Sequence, residues 1–199
     1  MKKIYLLRHA QSEFNEKGIF QGRLDSDLTP LGFVQARMSA SFFRDKEIEV
    51  IYTSPQRRAL KTALTVGDVL GIEPVVDDRI KEMSFGVLEG RDFWKLYEQE
   101  RELINRWLAD PVSNPLPAQE DFSLFEKRIL SFLEDLKNSA FKNILVVAHG
   151  GTLHALVCLA LEIPLSKMWH IHIDNTGISL LEYGSKFRLS YLNKLCHLV

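Results

Sequence analysis

The chain has 199 residues, of which 46% are apolar and 26% charged, and its net charge is −1. This length suits one domain over residues 1–199, and the apolar fraction with little net charge excludes intrinsic disorder. Nucleic acids and anionic membranes attract an excess of Lys and Arg, so the charge balance argues against both as partners. Two cysteines exclude a disulfide framework, and no apolar run reaches the roughly 20 residues of a membrane span. We therefore expect a cytoplasmic protein.

Short apolar runs alternate with amphipathic segments in the first half of the chain. Strands are predicted at residues 3–7, 50–53 and 74–76, a polar loop at 11–26, and a helix at about 57–70 ending at Gly71. Another helix is expected to begin at Thr29-Pro30, because Thr is a good N-cap and Pro suits the first helical position. Its predicted core face consists of Leu31, Val34, Met38 and Phe42, at spacings of three and four.

The second half continues the alternation. We predict helical structure at 92–108, a Pro-rich loop at 110–119, a helix at 122–136, a strand at 143–148, a helix reaching about 161, and a strand pair at 178–182 and 188–192. The runs at 3–7 and 143–148 are apolar throughout, which is typical of strands buried on both faces. Strands alternating with helices predict an α/β fold with a largely parallel sheet.

Imidazole and guanidinium groups follow three of the predicted strands. His9 closes the first strand, His149 closes the strand at 143–148, and Arg57-Arg58 follows the strand at 50–53. The carboxyl ends of parallel strands meet at one edge of a sheet, so we expect these side chains to converge. Buried cations without an anion are costly, and Arg forks beside a helix N-terminus at Gly150-Gly151 suit phosphate. The sequence has no GxxxxGK[ST] or GxGxxG loop for a nucleotide.

Four motifs in chain order resemble those of the histidine phosphatase superfamily, the phosphoglycerate-mutase-like family. They are Arg8-His9-Ala10 with Asn15; Ser54-Pro55-x-x-Arg58-Ala59; Glu82-x-x-Phe85-Gly86-x-x-Glu89-Gly90; and Val147-Ala148-His149-Gly150-Gly151. The motifs span nearly the whole chain. The resemblance implies a three-layer α/β sandwich with a largely parallel sheet, a small helical cap at residues 89–122, and a homodimer.

The resemblance also implies the chemistry. His9 would attack phosphorus and carry the phosphoryl group, Glu82 would protonate the leaving oxygen, and neither a cofactor nor a metal is implied. The implied catalytic residues are Arg8, His9, Arg58, Glu82 and His149. The implied substrate-binding residues are Asn15, Gln21, Gly22, Gly150 and His197. His9 must be neutral to attack, and the neighbouring arginines disfavour a second positive charge on it.

Hydrolysis is favoured over phosphoryl transfer. A mutase must keep water away from the phosphohistidine, and the middle segment of this chain is more compact than in typical family mutases. Residues 117–121 read PAQED where many members have PGGES, which stiffens that loop and leaves the role of Glu120 open. Ala10 replaces the usual Gly after the histidine, a small change. Phosphoglycerate mutase activity remains the alternative.

The C-terminal sequence gives a hint about the substrate. Asn193-x-x-Cys196-His197-Leu198 resembles the ending of metal-independent phosphoserine phosphatases, whose terminal histidine reaches the substrate carboxylate. Alpha-ribazole phosphatases end in a similar way and are a second alternative. The favoured substrate is therefore a small anionic phosphomonoester, with phosphoserine first and His197 as its ligand.

Two hypotheses from other functional classes remain open, a metal-dependent phosphoesterase and a binding protein. His170, His172 and Asp174 alternate as on one face of a strand, and with His149 and Glu82 they suggest a two-metal phosphoesterase. The arginines at the strand ends argue against it, because they would repel divalent cations. A binding protein with an inactive site is disfavoured because all five implied catalytic positions are occupied. The aromatics of the middle segment, Phe93, Trp94, Tyr97 and Trp107, are expected to pack the cap.

Overall fold

The computed structural model describes residues 1–198 and contains, within that range, one six-stranded sheet. Its strands are β1 (Lys2–Arg8), β2 (Val50–Thr53), β3 (Val75–Val76), β4 (Asn143–Ala148), β5 (Ile178–Tyr183) and β6 (Phe187–Lys194). They lie in the order β3-β2-β4-β1-β5-β6; the first four are parallel, and β5 and β6 pair antiparallel at one edge. The predicted α/β fold with a largely parallel sheet is confirmed.

Helices cover both faces of the sheet. They are α1 (Glu13–Glu16), α2 (Pro30–Phe43), α3 (Arg57–Leu70), α4 (Phe93–Gln99), α5 (Arg101–Ala109), α6 (Phe122–Asn138) and α7 (Gly150–Ala160). Neighbouring residues of β1 face opposite layers, as the alternation of a strand requires. Leu6 lies in the apolar cluster with α6 and α7, and Leu7 in the cluster with α2 and α3. The expected three-layer arrangement follows.

Local signals place several element boundaries as predicted. The Thr29 side chain accepts a hydrogen bond from the Gly32 N–H at 3.0 Å, with Pro30 as the first residue of α2. Gly71 ends α3 in the left-handed conformation with φ of 71°, which Gly adopts without steric cost. Two predictions are incomplete: the loop at 11–26 contains α1, and the segment at 92–108 forms two helices, α4 and α5, instead of one.

The predicted core face of α2 is wrong at Leu31 and Val34, whereas Phe42 is partly buried against the core. Leu31 and Val34 are each 52% exposed. The buried residues of the helix are Gly32, Ala36, Ser39, Ala40 and Phe43. Small residues face inward because the helix lies close to other backbone: a methyl group on Gly32 would overlap the carbonyl of Gln11. Close approach therefore overrides the spacing of the larger apolar side chains.

The segment at residues 89–122 contains α4, α5 and the Pro-rich loop. Trp107 of α5 is 1% exposed, and its Nε1–H donates to Gln119 Oε1 at 2.8 Å. Its ring packs on Phe85 and Trp169, with centroid distances of 5.7 and 4.8 Å. Trp94 of α4 is 69% exposed, so the middle aromatics do not all pack inward as expected. Within residues 1–198, no helix combines the length and apolar character needed to cross a membrane.

Candidate active site

His9 lies just beyond the carboxyl end of β1 and is 2% exposed. Its Nδ1 is 2.8 Å from the carbonyl oxygen of Ala10. A carbonyl only accepts, so Nδ1 carries the hydrogen and Nε2 of the neutral ring keeps its lone pair. Burial, together with the guanidinium groups of Arg58 and Arg8, holds the pKa of His9 well below its ordinary value of 6.5. The ring is thus neutral at physiological pH, with the lone pair of Nε2 free to react.

Two arginines border the same cavity and are anchored by backbone carbonyls. Arg8 Nη1 donates to Ile173 O at 2.6 Å, and Arg58 donates to Leu24 O at 2.8 Å and Gly22 O at 2.9 Å. The Nε–H of each arginine is buried and has no hydrogen-bond partner within residues 1–198. Burial lowers the pKa of both groups, that of Arg58 to about 10, so both stay charged near neutrality. Their arrangement favours an anion in the cavity.

His149 follows the last residue of β4 and is the N-cap of α7. Its ring centroid lies 5.2 Å from that of His9, and Nε2 is 2.7 Å from Ser54 Oγ. Burial, Arg58 and His9 hold the pKa of His149 well below the ordinary value. Nδ1 is buried with no hydrogen-bond partner in the described range, 1–198. The sequence placed Ser54 in a motif without a role, and the structure identifies it as the partner of His149.

Glu82 occupies the amino terminus of α7. Its Oε2 accepts from the N–H of Gly151 at 3.0 Å, and its Oε1 from the N–H of Thr152 at 3.0 Å. A carboxylate suits this position because helix N-termini carry free N–H groups and a positive dipole end. Of the expected phosphate contacts at Gly150-Gly151, the one at the Gly151 N–H is thus replaced by Glu82. Gly150, one residue earlier, lies against the Arg8 guanidinium and lines the cavity.

The loop after β1 supplies the remaining predicted residues. Asn15 lines the cavity, and its Oδ1 accepts from Ser12 N at 3.1 Å. Gln21 also lines it, while its amide bonds Ser12 Oγ and Ser26 Oγ, both at 2.9 Å. These bonds give the Gln21 side chain a role in shaping the loop.

Gly22 contributes its carbonyl, which accepts from Arg58 and from Gln56 Nε2 at 2.8 Å. Gln56 Oε1 in turn accepts from the Glu82 N–H at 2.8 Å. Gln56 therefore connects the Gly22 carbonyl, which anchors Arg58, to the backbone of Glu82. Sequence reasoning missed this residue, and its position before α3 carries no local signal for that role.

Two acids hold loops together: Glu89 of the third motif and Glu120 of the loop at 117–121. Glu89 Oε1 accepts from the backbone N–H groups of Arg23 and Phe85, at 3.0 and 2.8 Å. Glu120 forms ion pairs with Arg23 at 3.1 Å and Arg128 at 2.8 Å. The open question about Glu120 is answered structurally: it ties the loop at 117–121 to both neighbours.

The cavity has a volume of about 270 Å³ and continues past Glu82 toward an aromatic wall. This wall consists of Phe20, Phe85, Trp107 and Trp169. His154 of α7 completes it, with its ring edge on Trp169 at a centroid distance of 5.7 Å. Sequence reasoning missed His154 as a site residue, although it follows Gly150 by four residues and so shares its helix face.

The structure does not bring His197 to the cavity. Its ring lies edge-on against Phe42 of α2, with centroids 6.3 Å apart, and the residue does not line the cavity. The predicted contact between His197 and the substrate carboxylate is thus absent from this arrangement. The terminal 3₁₀ turn, Cys196–Leu198, packs instead on α2.

The groups weighed for a metal site are also dispersed. The expected strand at 170–174 is wrong, since His170 ends the 3₁₀ turn Leu165–His170 and no strand follows until β5. His172 pairs with Asp174 at 2.9 Å on the surface. Within residues 1–198, no cluster of three or more His, Cys, Asp or Glu is placed to hold a metal ion.

Comparison with known proteins assigns the family. Residues 4–194 match the histidine phosphatase superfamily, branch 1. The chain belongs to this superfamily. As a member, it is a phosphoric monoester hydrolase of the class that uses a histidine nucleophile.

Relatives and structures agree with the assignment. The chain is 60% identical, over 99% of its length and 98% of the relative's, to "Putative phosphoserine phosphatase 2" of Hydrogenobacter thermophilus. It is 32% identical, over 100% of its length and 95% of the relative's, to phosphoserine phosphatase 1 of the same organism. A mycobacterial glucosyl-3-phosphoglycerate phosphatase, solved with VO3, superimposes with a TM-score of 0.90 at 26% identity, covering 98% of this chain and 100% of that one.

Proposed function

We propose that this histidine phosphatase hydrolyses a small phosphomonoester, with phosphoserine as the favoured substrate, through a phosphohistidine on His9. The observation that carries the mechanism is the neutral His9 ring between Arg8 and Arg58, whose buried Nε–H groups have no partner in residues 1–198. Two guanidinium groups, on β1 and α3, thus favour one bound anion beside a nucleophile.

In the first step, the Nε2 lone pair of His9 attacks phosphorus and the bond from phosphorus to the leaving oxygen breaks. The carboxyl group of Glu82 gives its proton to that oxygen, so the leaving group departs as an alcohol. Arg8, Arg58 and Asn15 line the cavity around the transferring group, and His149 packs beside the His9 ring without lining the cavity. Fixed charges of this kind stabilise the negative charge that the phosphoryl oxygens carry in the transition state.

In the second step, water attacks the phosphohistidine and the bond from nitrogen to phosphorus breaks. The water proton goes to the Glu82 carboxylate, inorganic phosphate leaves, and His9 returns to its neutral form. Glu82 is then again a carboxylic acid. The atoms balance over the cycle, with one ester and one water consumed and one alcohol and one phosphate released.

The choice of phosphoserine has support from two sides. Both Hydrogenobacter relatives carry phosphoserine phosphatase in their names. The 270 Å³ cavity is small, which suits a compact leaving group.

The test is phosphate release from O-phospho-L-serine, 3-phosphoglycerate, a nucleoside monophosphate and p-nitrophenyl phosphate, in the presence of EDTA. We expect turnover of phosphoserine, and its loss in His9→Ala. Mass spectrometry of wild-type enzyme quenched at alkaline pH should find one phosphoryl group on His9. His170→Leu, at the surface, is the control and should retain activity.

Each other result is decisive. Turnover that persists in His9→Ala would contradict the phosphohistidine mechanism. Turnover of another ester but not of phosphoserine would contradict phosphoserine as the substrate and leave the mechanism intact. Dependence of activity on a metal ion that EDTA removes would favour the metal hypothesis.

A further inference from the structure

The cavity has two ends of different chemical character. Its phosphoryl end carries the charged groups, with Arg8 and Arg58 beside His9. Its other end is bordered by His154, Trp169 and the apolar rings of Phe85 and Trp107. This second end is what a leaving group would meet, and the mechanism above gives it no role.

Contacts along α7 show the order of these groups. A methyl group at Gly150 would lie 3.7 Å from Arg8 Nε, whereas one at Gly151 would lie 2.8 Å from Glu82 Oε1 and 3.4 Å from Trp169 Cη2. Trp169 is therefore next to the acid, on the side away from the guanidinium. Since Glu82 is proposed to protonate the leaving oxygen, the rest of the leaving group extends toward Trp169 and His154.

Polar atoms at this end lack partners. His154 is 8% exposed, and neither of its ring nitrogens makes a hydrogen bond within residues 1–198. Trp169 Nε1–H is likewise buried and unpaired among those residues. Buried donors and acceptors are normally paired, and leaving one unpaired costs on the order of 1–3 kcal/mol. Two such side chains on one cavity wall indicate a ligand that supplies the missing hydrogen-bond partners.

The wall offers hydrogen bonds but no net charge. Burial and the nearby Arg8 lower the pKa of His154 to about 3, so the ring is neutral at physiological pH. A neutral imidazole has one N–H donor and one lone-pair acceptor, and the indole Nε1–H adds a donor. Of the described residues that border this end, His154, Trp169, Phe85 and Trp107, none is Lys, Arg, Asp or Glu; Glu82 lies where the two ends meet.

We propose that His154 and Trp169 form the leaving-group subsite and select a small leaving group that has both a hydrogen-bond donor and acceptor but no net charge. The serine zwitterion fits: its ammonium donates to the free ring nitrogen of His154, and its carboxylate accepts from Trp169 Nε1–H. Glycerate, with a carboxylate and no ammonium, leaves a net charge uncompensated and is disfavoured. This inference rests on the proposed function and identifies His154 and Trp169 as the residues that determine its substrate specificity.

The experiment compares kcat/KM for O-phospho-L-serine, 3-phosphoglycerate and p-nitrophenyl phosphate in four proteins. These are wild type, His154→Leu, Trp169→Phe and His170→Leu, a surface histidine that neighbours Trp169. In wild type, phosphoserine should exceed 3-phosphoglycerate by roughly tenfold or more. His154→Leu should lower kcat/KM for phosphoserine by about 10–100-fold and change that for p-nitrophenyl phosphate by less than about threefold.

Trp169→Phe keeps an aromatic ring but removes the N–H. It should therefore lower kcat/KM for phosphoserine more than that for p-nitrophenyl phosphate, but by a smaller factor than His154→Leu does. Turnover of p-nitrophenyl phosphate in each variant also shows that the protein is folded. Equal losses on phosphoserine and p-nitrophenyl phosphate in both variants would overturn the subsite and leave the proposed function intact. Wild-type preference for 3-phosphoglycerate would overturn it as well. Absence of turnover in wild type, or activity in His9→Ala, would instead remove the proposed function.

Discussion

The side chains of Glu82 and Thr152 meet at the first turn of α7, where Thr152 Oγ1 lies 3.2 Å from Glu82 Oε1. The same hydroxyl lies 2.8 Å from the carbonyl oxygen of Lys81. A hydroxyl has one hydrogen, and a carbonyl can only accept it. The hydroxyl hydrogen therefore serves one acceptor at a time: the shorter contact is its bond to Lys81 O, and Glu82 Oε1 is the second acceptor within its reach. Thr152 thus helps to hold the Glu82 carboxyl group at the first turn of α7, through its hydroxyl and its backbone N–H.

Thr152→Val should weaken general-acid catalysis, because the methyl group that replaces the hydroxyl cannot donate to Lys81 O or Glu82 Oε1 and leaves the carboxyl group of Glu82 less firmly positioned. We expect kcat for phosphoserine to fall by about 5–20-fold, as for one lost hydrogen bond. The effect on p-nitrophenyl phosphate should be smaller, since nitrophenolate leaves without protonation. Steady-state kinetics on both substrates measure it. Thr152→Ser should restore activity, and failure of that rescue would contradict this role for the hydroxyl.

The pH profile of kcat/KM should have its acidic limb at low pH. Because burial and the two arginines hold the pKa of His9 well below 6.5, the nucleophile stays neutral as the pH falls through 6.5. The limb of kcat/KM that reports protonation of His9 should therefore lie below pH 6.5. Arg58→Gln removes one positive charge, so its limb should move to higher pH, along with a large loss of rate. A limb of Arg58→Gln at or below the wild-type position would show that this charge does not act on His9.

Gly22 and Gly18 form a matched pair in the loop after β1. Both have positive φ, 51° and 65°, but a methyl group on Gly18 meets nothing within 4 Å whereas one on Gly22 would overlap the Glu89 carboxylate. Gly18→Ala should cost about 1 kcal/mol of unfolding free energy, the strain of the left-handed region. Gly22→Ala should cost about 1–3 kcal/mol more and raise KM, because displaced Glu89 leaves N–H groups unpaired and the Arg58 anchor moves. Urea unfolding measures the loss of unfolding free energy in both variants. Equal losses in Gly18→Ala and Gly22→Ala would contradict the role of Glu89.

Stability should fall with acidity through the buried histidines. His154 has a pKa of about 3 in the folded protein and an ordinary value of 6.5 when unfolded, so the unfolded chain binds more protons between these values. The contribution of the neutral His154 ring to the free energy of unfolding is complete above pH 6.5 and is lost as the pH falls toward 3. In that window His154→Leu should reduce the slope of unfolding free energy against pH by about 1.4 kcal/mol per unit. Denaturant unfolding at several pH values measures the slope; an unchanged slope would mean that His154 is protonated in the folded state.

Local patterns in the sequence were sufficient for the framework. The apolar runs of β1 and β4 predict strands buried on both faces, and Thr29-Pro30 and Gly71 act within a few residues of the boundaries they define. The convergence of His9, Arg58 and His149 also followed, because parallel strands present their carboxyl ends at one edge. In each case the physical cause lies within a single element or in a general rule of sheet geometry.

Tertiary contacts decided the rest. The buried face of α2 depends on how closely its small residues approach neighbouring backbone, and Glu82 reaches α7 across about seventy positions of sequence. His197 packs on Phe42, and His154 meets Trp169, through contacts that no residue spacing encodes. The sequence by itself determined the sheet, most of the helices and which groups could react with phosphate. Only the packing of distant elements decided which polar atoms are buried without partners, and therefore where a leaving group is recognised.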